Sequence, residues 1–172
     1  MKEIPLSQGK IALVDDQDFE TLSRRKWYAW RYTLKSRVAW YAMRGLYRED
    51  GSHQIIGMHR AILPGVAQVD HIDGDGLNNQ RANLRPATPA QNQQNGFKRA
   101  GCSSRFKGVS WDGSRNKWKA QIGINYCVRN LGWFETEEAA ARAYDAAAQE
   151  CFGEFARLNF PQKMLTRPLP VV

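Results

Sequence analysis

"VDHIDGDGLNNQRANLRPATPAQNQQN", residues 69–95, is the stretch whose reading decides the fold. It sets Asp70 beside His71, one of three histidines in 172 residues, and then runs through Gly74, Gly76, Asn78, Asn79 and Asn83 before Thr88-Pro89. Glycine permits tight turns and asparagine side chains bond nearby backbone, so this reads as an irregular loop that Asn78, Asn79 and Asn83 can staple, holding His71 in place. Thr88 is a good N-cap and Pro89 suits the first helical position, which predicts a helix of about two turns stopped near Gly96. Neighbours on a regular strand face opposite ways, so Asp70 and His71 can share a site only if the strand ends or bulges at Val69-Asp70-His71. Strand end, loop and helix start then converge in a ββα arrangement.

That arrangement matches what phosphodiester hydrolysis requires. A water must lose its proton near neutral pH, and charge on the phosphate and leaving oxygen must be neutralised, which a histidine base and a Mg²⁺-like cation held by oxygen ligands supply. Asp70 offers a carboxylate ligand, Asn92 an amide oxygen from the helix, and His71 is the remaining base. Two plainer readings compete. "DHIDGDG" resembles a calcium loop superficially, but its spacing supplies neither the expected ligands nor a terminal glutamate. A histidine beside an aspartate is often a mere surface pair, yet the asparagine-rich loop and following helix favour catalysis. Upstream, His59 reads either as a buried structural histidine or, with Arg60, as a phosphate contact, and His53 reads as solvated.

Working outward toward the N-terminus, Thr21–Arg48 holds eight cations (Arg24, Arg25, Lys26, Arg31, Lys35, Arg37, Arg44, Arg48) and no acid. Trp27, Tyr28, Trp30, Tyr32, Trp40, Tyr41 and Tyr47 are interleaved with them, as expected of paired strands that offer cations to phosphates and rings to a groove wall or a small core. Arg31, Lys35 and Arg37 are the candidate DNA contacts here. "KIALVDD", "KWYAWRY", "RVAWYAMRGLY" and "HQIIGMH" read as strands, and "MHRAILPG" as a short helix or extended turn.

On the C-terminal side, "FKGVSWD", "KWKAQIGI" and "VRNLGWF" predict a three-stranded antiparallel meander, with turns at "DGSRN" and near Asn125. Thr136 then caps a helix over "EEAAARAYDAAAQECF", with Ala140, Ala143, Tyr144, Ala147 and Cys151 on the buried stripe and Gly153 just past its end. Bases dominate Lys98–Trp133 and acids dominate Phe134–Ala156, so one face attracts DNA and the opposite face repels it. The expected division is 1–98, a linker over 99–104, a small domain over 105–162, and a loose tail over 163–172. The fold class is α+β: a β-rich N-terminal region with the ββα-metal motif, then a three-stranded antiparallel sheet on one helix.

Two stretches resemble known families. "M-HR-AIL…VDHIDGDGLNNQRANLR-AT-AQN", about Met58–Asn95, resembles the HNH nucleases, particularly the homing-endonuclease branch of phages and mobile introns. The resemblance implies that Asp70 and Asn92 bind one divalent metal, that His71 is the general base and that Asn83 fixes the loop. Pro86 stands where relatives often carry a bulky aromatic residue. "FKGVSWDGSRNKWKAQIGI…RNLGWFETEEAAARAYDAAAQECFGEFARLNFP", about Arg105–Pro161, looks like the APETALA-type DNA-binding domain of plant ethylene-response factors. It implies a sheet laid in the major groove, with Trp111, Arg115, Lys117, Lys119, Gln121 and Arg129 at the corresponding positions. Ser110 and Gly123 replace family arginines, so the sequence preference does not transfer.

A net charge of +8 points to a polyanionic partner, and the absence of a basic amphipathic helix with a broad apolar face favours double-stranded DNA over a membrane. The expectation is a divalent-metal-dependent, site-directed endonuclease using Mg²⁺, with Mn²⁺ as the second candidate and no zinc. One site per chain predicts nicking by a monomer on DNA, unless two chains assemble on the target. The alternative is a DNA-binding regulator on a degenerate nuclease fold. Cys102, Cys127 and Cys151 are odd in number and never C-x-x-C, so they are expected to be reduced and buried. No secretory signal is legible, and a cytoplasmic protein is expected.

Overall fold

A computed structural model describes residues 1–34, 37–47, 50–98 and 101–161. Its elements are β1 (Lys2–Pro5), β2 (Ile11–Val14), α1 (Asp16–Ser23), β3 (Tyr28–Leu34), β4 (Arg37–Tyr47), β5 (His53–Gly57), α2 (Met58–Ile62), β6 (Val69–His71), β7 (Leu84–Pro86), α3 (Pro89–Gln94), β8 (Val109–Asp112), β9 (Lys117–Ile124), β10 (Cys127–Phe134) and α4 (Glu137–Phe152). The protein is a mixed α/β chain of small antiparallel sheets with few helices, divided into compact units over 1–96 and 97–172. The expected tail, 163–172, lies outside the described residues.

In the first unit, β1 pairs with β2, β3–β4–β5 form a meander, and the three-residue strands β6 and β7 pair antiparallel. Ile4, Ala12, Val14, Leu22, Trp27, Ala42, Met58, Ile62, Val69 and Leu84 form one core, so every one of these elements except β3, β5 and α3 contributes a buried apolar side chain. Val69 and Leu84 belong to it and flank the charged residues between them, which fixes β6 and β7 against the core. The elements that sequence periodicity did not bring out are β1, α1 and β7. The reading of "KIALVDD" as one strand is corrected: the strand stops at Val14, because Asp15, extended, precedes the first turn of α1.

In the second unit β8, β9 and β10 form an antiparallel sheet in the order β10-β9-β8, with a bulge in β10 between Asn130 and Gly132. Thr136 caps α4 by accepting from the Ala139 N–H, and the helix covers one sheet face. Its buried stripe is Ala140, Ala141, Tyr144, Ala147 and Ala148. Small residues let the helix approach closely: a Cβ on Gly108, whose φ is +76°, would lie 1.9 Å from the Tyr144 ring. Cys151 is off that stripe, while its neighbour Phe152 packs against the cluster of Ile122, Tyr144, Ala147 and Ala148. All three cysteines are exposed, which corrects the expectation of buried thiols. Within the expected linker, Ser103 Oγ accepts from the Trp111 N–H at 2.9 Å, and Ser104 is buried with its Oγ donating to Glu137 at 2.7 Å; just before it, Lys98 Nζ donates to the Val109 carbonyl at 3.0 Å.

Candidate active site

β6 is three residues long and buried throughout, and its two chemical neighbours meet different partners: Asp70 meets Arg85 and Asn95, and the His71 ring meets Asn79, His59 and Tyr41. Asp70 stands opposite Arg85 in the β6–β7 register, and their side chains meet: Arg85 Nε and Nη2 donate to Asp70 Oδ2 at 3.0 and 2.8 Å. Both side chains are nearly sealed from solvent. A carboxylate so buried needs strong partners, since an isolated ion would lose several kcal/mol of hydration. The second partner is Asn95, at the C-terminal cap of α3. Its Nδ2 lies 3.1 and 3.0 Å from the two Asp70 oxygens and 2.9 Å from the His71 carbonyl.

α3 is held for this task from its other end. Thr88 accepts from the Gln91 N–H while the Gln91 side chain accepts from the Thr88 N–H, a reciprocal capping box, with Pro89 as the first helical residue. Asn92 is exposed, and its side chain does not share in the bonds that hold Asp70. Three positions before Asn95, it shares that residue's face of the helix, one turn nearer the N-terminus. Sequence reasoning missed Asn95 and Arg85. The signals were present: a second asparagine one turn beyond Asn92, and an arginine directly across from the aspartate once "NLR" is placed in a strand.

His71 is buried among conjugated rings. Its ring centroid is 5.1 Å from that of His59 at 80° and 6.0 Å from that of Tyr41 at 62°. Nε2 lies 3.4 Å from Oδ1 of the fully buried Asn79, so with Nε2 protonated it donates to that amide and Nδ1 keeps the lone pair. Burial holds the His71 imidazole below its ordinary value, against the raising influence of Asn79 and of the carboxylates of Asp73, Asp70 and Asp75. Burial also drives His59 down to about 4, helped by the charges of His71 and Arg60. By accessible surface His59 is half-buried, with its ring against those of His71 and Tyr41. Arg60 is exposed, and its Nη2 donates to the Ala67 carbonyl at 3.2 Å.

The loop after His71 is stapled as its composition foretold. Asn83 Oδ1 accepts from the Asp73 N–H, and its Nδ2 donates to Asp73 Oδ1 and the Asn78 carbonyl. β2 grips the far side: the Leu13 N–H donates to the Leu77 carbonyl and the Asn79 N–H to the Leu13 carbonyl. Arg81 forks onto Asp18 of α1 at 2.7 and 2.8 Å. Gly76 is required by closeness alone, because a Cβ there would meet the Tyr41 ring at 2.4 Å and the Trp40 carbonyl at 2.5 Å.

The oxygen donors that could serve a hard divalent cation here are the Asp70 carboxylate, which already accepts from Arg85, and the exposed Asn92 amide; Asn95 turns its Nδ2 donor to Asp70 and so positions that carboxylate. Among the described residues no cluster of three His, Cys, Asp or Glu could hold a metal. An ion at Asp70 would complete its shell with water and phosphate oxygens, as Mg²⁺ commonly does.

The HNH endonuclease family profile matches residues 33–94. An uncharacterized HNH endonuclease of Acanthamoeba polyphaga mimivirus is 37% identical over 140 residues, covering 75% of this chain and 71% of the relative. The chain belongs to the HNH endonuclease family. Protein 3.8 of Escherichia phage T7 is 33% identical over 97 residues, 56% of this chain and 79% of that protein. An HNH site acts on nucleic acid, generally with a divalent metal, and the matched span contains the Asp70–His71 strand, the stapled loop and all of α3, ending one residue before Asn95. A different similarity is to an AP2/ERF and B3 domain-containing protein of Oryza sativa subsp. japonica, 40% identical over 99 residues, 58% of this chain and 23% of that one.

The other sequence-derived contacts divide by sheet face. In the second unit Lys117, Lys119 and Gln121 alternate with Trp118, Ala120 and Ile122, and Ala120 and Ile122 are buried against α4, so the former three share the outer face. Trp111 pairs with Trp118 and Arg129 with Ile122, which puts both on the helix side. Arg129 accordingly lies 3.7 Å from Glu150 of α4, and the Trp111 ring stands edge-on to Trp118 at 5.1 Å. The structure therefore does not bring these two to the face that carries Lys119. Arg115 stacks over Trp133 at 3.9 Å, and Lys117 pairs with Glu135 at 2.9 Å. In the first unit Arg31 is exposed on β3, while Lys35 and the Arg37 side chain lie outside the described residues.

Proposed function

We propose that this HNH protein is a divalent-metal-dependent, site-directed DNA endonuclease of the homing type, with His71 as its general base. The observation that carries the reading is the placement of His71: burial keeps its imidazole in the neutral form a general base needs, while weakening it as a base, Asn79 orients it, and the adjacent residue in the same short strand is a carboxylate. In this reading His71 takes the proton of a water set against the target phosphate. Asn83 keeps the loop, and with it the base, from drifting. Asp70 and Asn92 hold the cation in a ββα-metal arrangement, and Arg85 and Asn95 fix the Asp70 carboxylate. When bound, the cation neutralises charge on the phosphate and the departing 3′ oxygen. Mg²⁺ suits this oxygen-donor set, with Mn²⁺ as substitute.

The second unit supplies the site-directed part of the proposal. The chain's similarity over 99 residues to part of an AP2/ERF protein, together with an outer sheet face in the second unit bearing Lys117, Lys119 and Gln121, supports a sheet that reads duplex DNA. One site per chain then gives a nick.

Supercoiled plasmid incubated with the wild type and Mg²⁺ is the test. We expect nicked circles with the wild type and a rate about 10²–10⁴-fold lower for His71→Ala, with EDTA stopping both. Equal absence of cutting by both proteins, with DNA binding intact, would instead leave a regulator on a nuclease scaffold.

A further inference from the structure

The β3–β4–β5 sheet has one face that the mechanism above does not use. Direct cross-strand partners share a face, so register places Tyr28 with Met43, Trp30 with Tyr41, Tyr32 with Ala39, Gly45 with Ile55 and Tyr47 with His53 on the same side. None of these positions is acidic. Trp30 is 47% exposed, Tyr32 52% and Tyr47 84%, large apolar rings left in water on a sheet whose opposite side contributes Ala42 to the core. The same face leads to the catalytic histidine: Tyr41, directly across from Trp30, has its ring 6.0 Å from that of His71.

We propose that this ring-lined face binds unstacked bases of a DNA strand whose backbone passes His71, so that the protein engages single-stranded or locally opened DNA. The inference rests on the nuclease reading for the identity of the polymer. Its spacing argument is independent. Alternate residues of a strand are ~7 Å apart, and the Tyr28 and Trp30 centroids are 6.4 Å apart, about twice the ~3.4 Å rise per nucleotide of stacked DNA. Rings so spaced match bases pulled apart from one another rather than bases in a continuous stack. Flat rings take any base, because every base offers a π-face, while cations elsewhere on the chain attract the backbone. A face without acids opposes neither.

The experiment measures binding alone, so it is separable from catalysis. Full-length His71→Ala in EDTA is titrated into a fluorescein-labelled 15-nucleotide oligothymidine and into a duplex of equal length, followed by anisotropy. Adding Trp30→Ala with Tyr32→Ala is expected to weaken single-strand binding about tenfold or more and duplex binding less than threefold. The salt slope should not change, because no charge is removed. Trp30→Phe should retain most of the affinity, and circular dichroism checks that the fold persists; Tyr32→Ala alone serves if the double variant unfolds. Unchanged single-strand binding, equal losses on both DNAs, or a shift from dimer to monomer by light scattering in the ring variants would overturn the proposal, the last by assigning the face to a second copy of the chain.

Discussion

At the scale of single residues, the site depends on a charge that is hidden and compensated. Asp70 is sealed under Arg85 and Asn95, so removing the cation leaves a buried carboxylate with only an amide. Arg85→Met is expected to cost on the order of 3 kcal/mol of stability by chemical denaturation, and Asp70→Asn combined with it should recover most of the loss without recovering cleavage. His59 yields a pH prediction. Its folded value is about 4 against 6.5 when solvated, so between those limits the unfolded chain binds the extra proton. Stability is therefore complete above about pH 6.5 and falls as pH drops toward 4, by about 3 kcal/mol at most for this residue. His71 contributes in the same direction. A His59→Gln protein should show a visibly flatter melting temperature over that window. Asp70, His71 and Asn83 were legible as a group because chemistry dictates their types, whereas Arg85 gains its meaning only from a strand register that no local pattern displays.

Among elements, α3 is six residues long and depends on its cap. Isolated helices of that length are unstable, so the reciprocal bonds of Thr88 and Gln91 and the anchoring of Asn95 hold it in place. Thr88→Ala should lower stability by about 1 kcal/mol and reduce the cleavage rate by more than the same loss at Thr136 of α4, since α3 carries Asn95, which holds Asp70, and the proposed ligand Asn92; paired melting and nicking assays compare them. Long elements with strong punctuation were readable from sequence: the three strands of the second unit alternate cleanly, and α4 has a threonine cap and Gly153 past its end. β1, α1 and β7 were not. They are four, eight and three residues long, and α1 buries only Leu22, too little to set up a periodicity. The stripe on α4 was mostly legible: Ala140, Tyr144 and Ala147 are buried and Ala143 packs against the core, while Ala141 and Ala148 join the buried set and Cys151 is exposed.

For the molecule as a whole, charge is spent unevenly. Of the cations on the second unit, Lys117 and Arg129 are paired with Glu135 and Glu150 and Arg115 lies against Trp133, so the net +8 overstates what meets a phosphate. A fragment spanning 97–172 should bind duplex DNA with a dependence on salt shallower than its count of basic residues gives, and Lys119→Ala should reduce the slope by about one phosphate equivalent in an anisotropy series. Where that fragment begins matters, because β8 is the outer strand of its sheet, and the groups that satisfy its open edge are Lys98 on the Val109 carbonyl and Ser103 on the Trp111 amide. These two side chains act as a hem. A protein cut at Arg105 would leave the edge raw, free to zip onto the same edge of another molecule, and would precipitate where the piece eight residues longer stays clear.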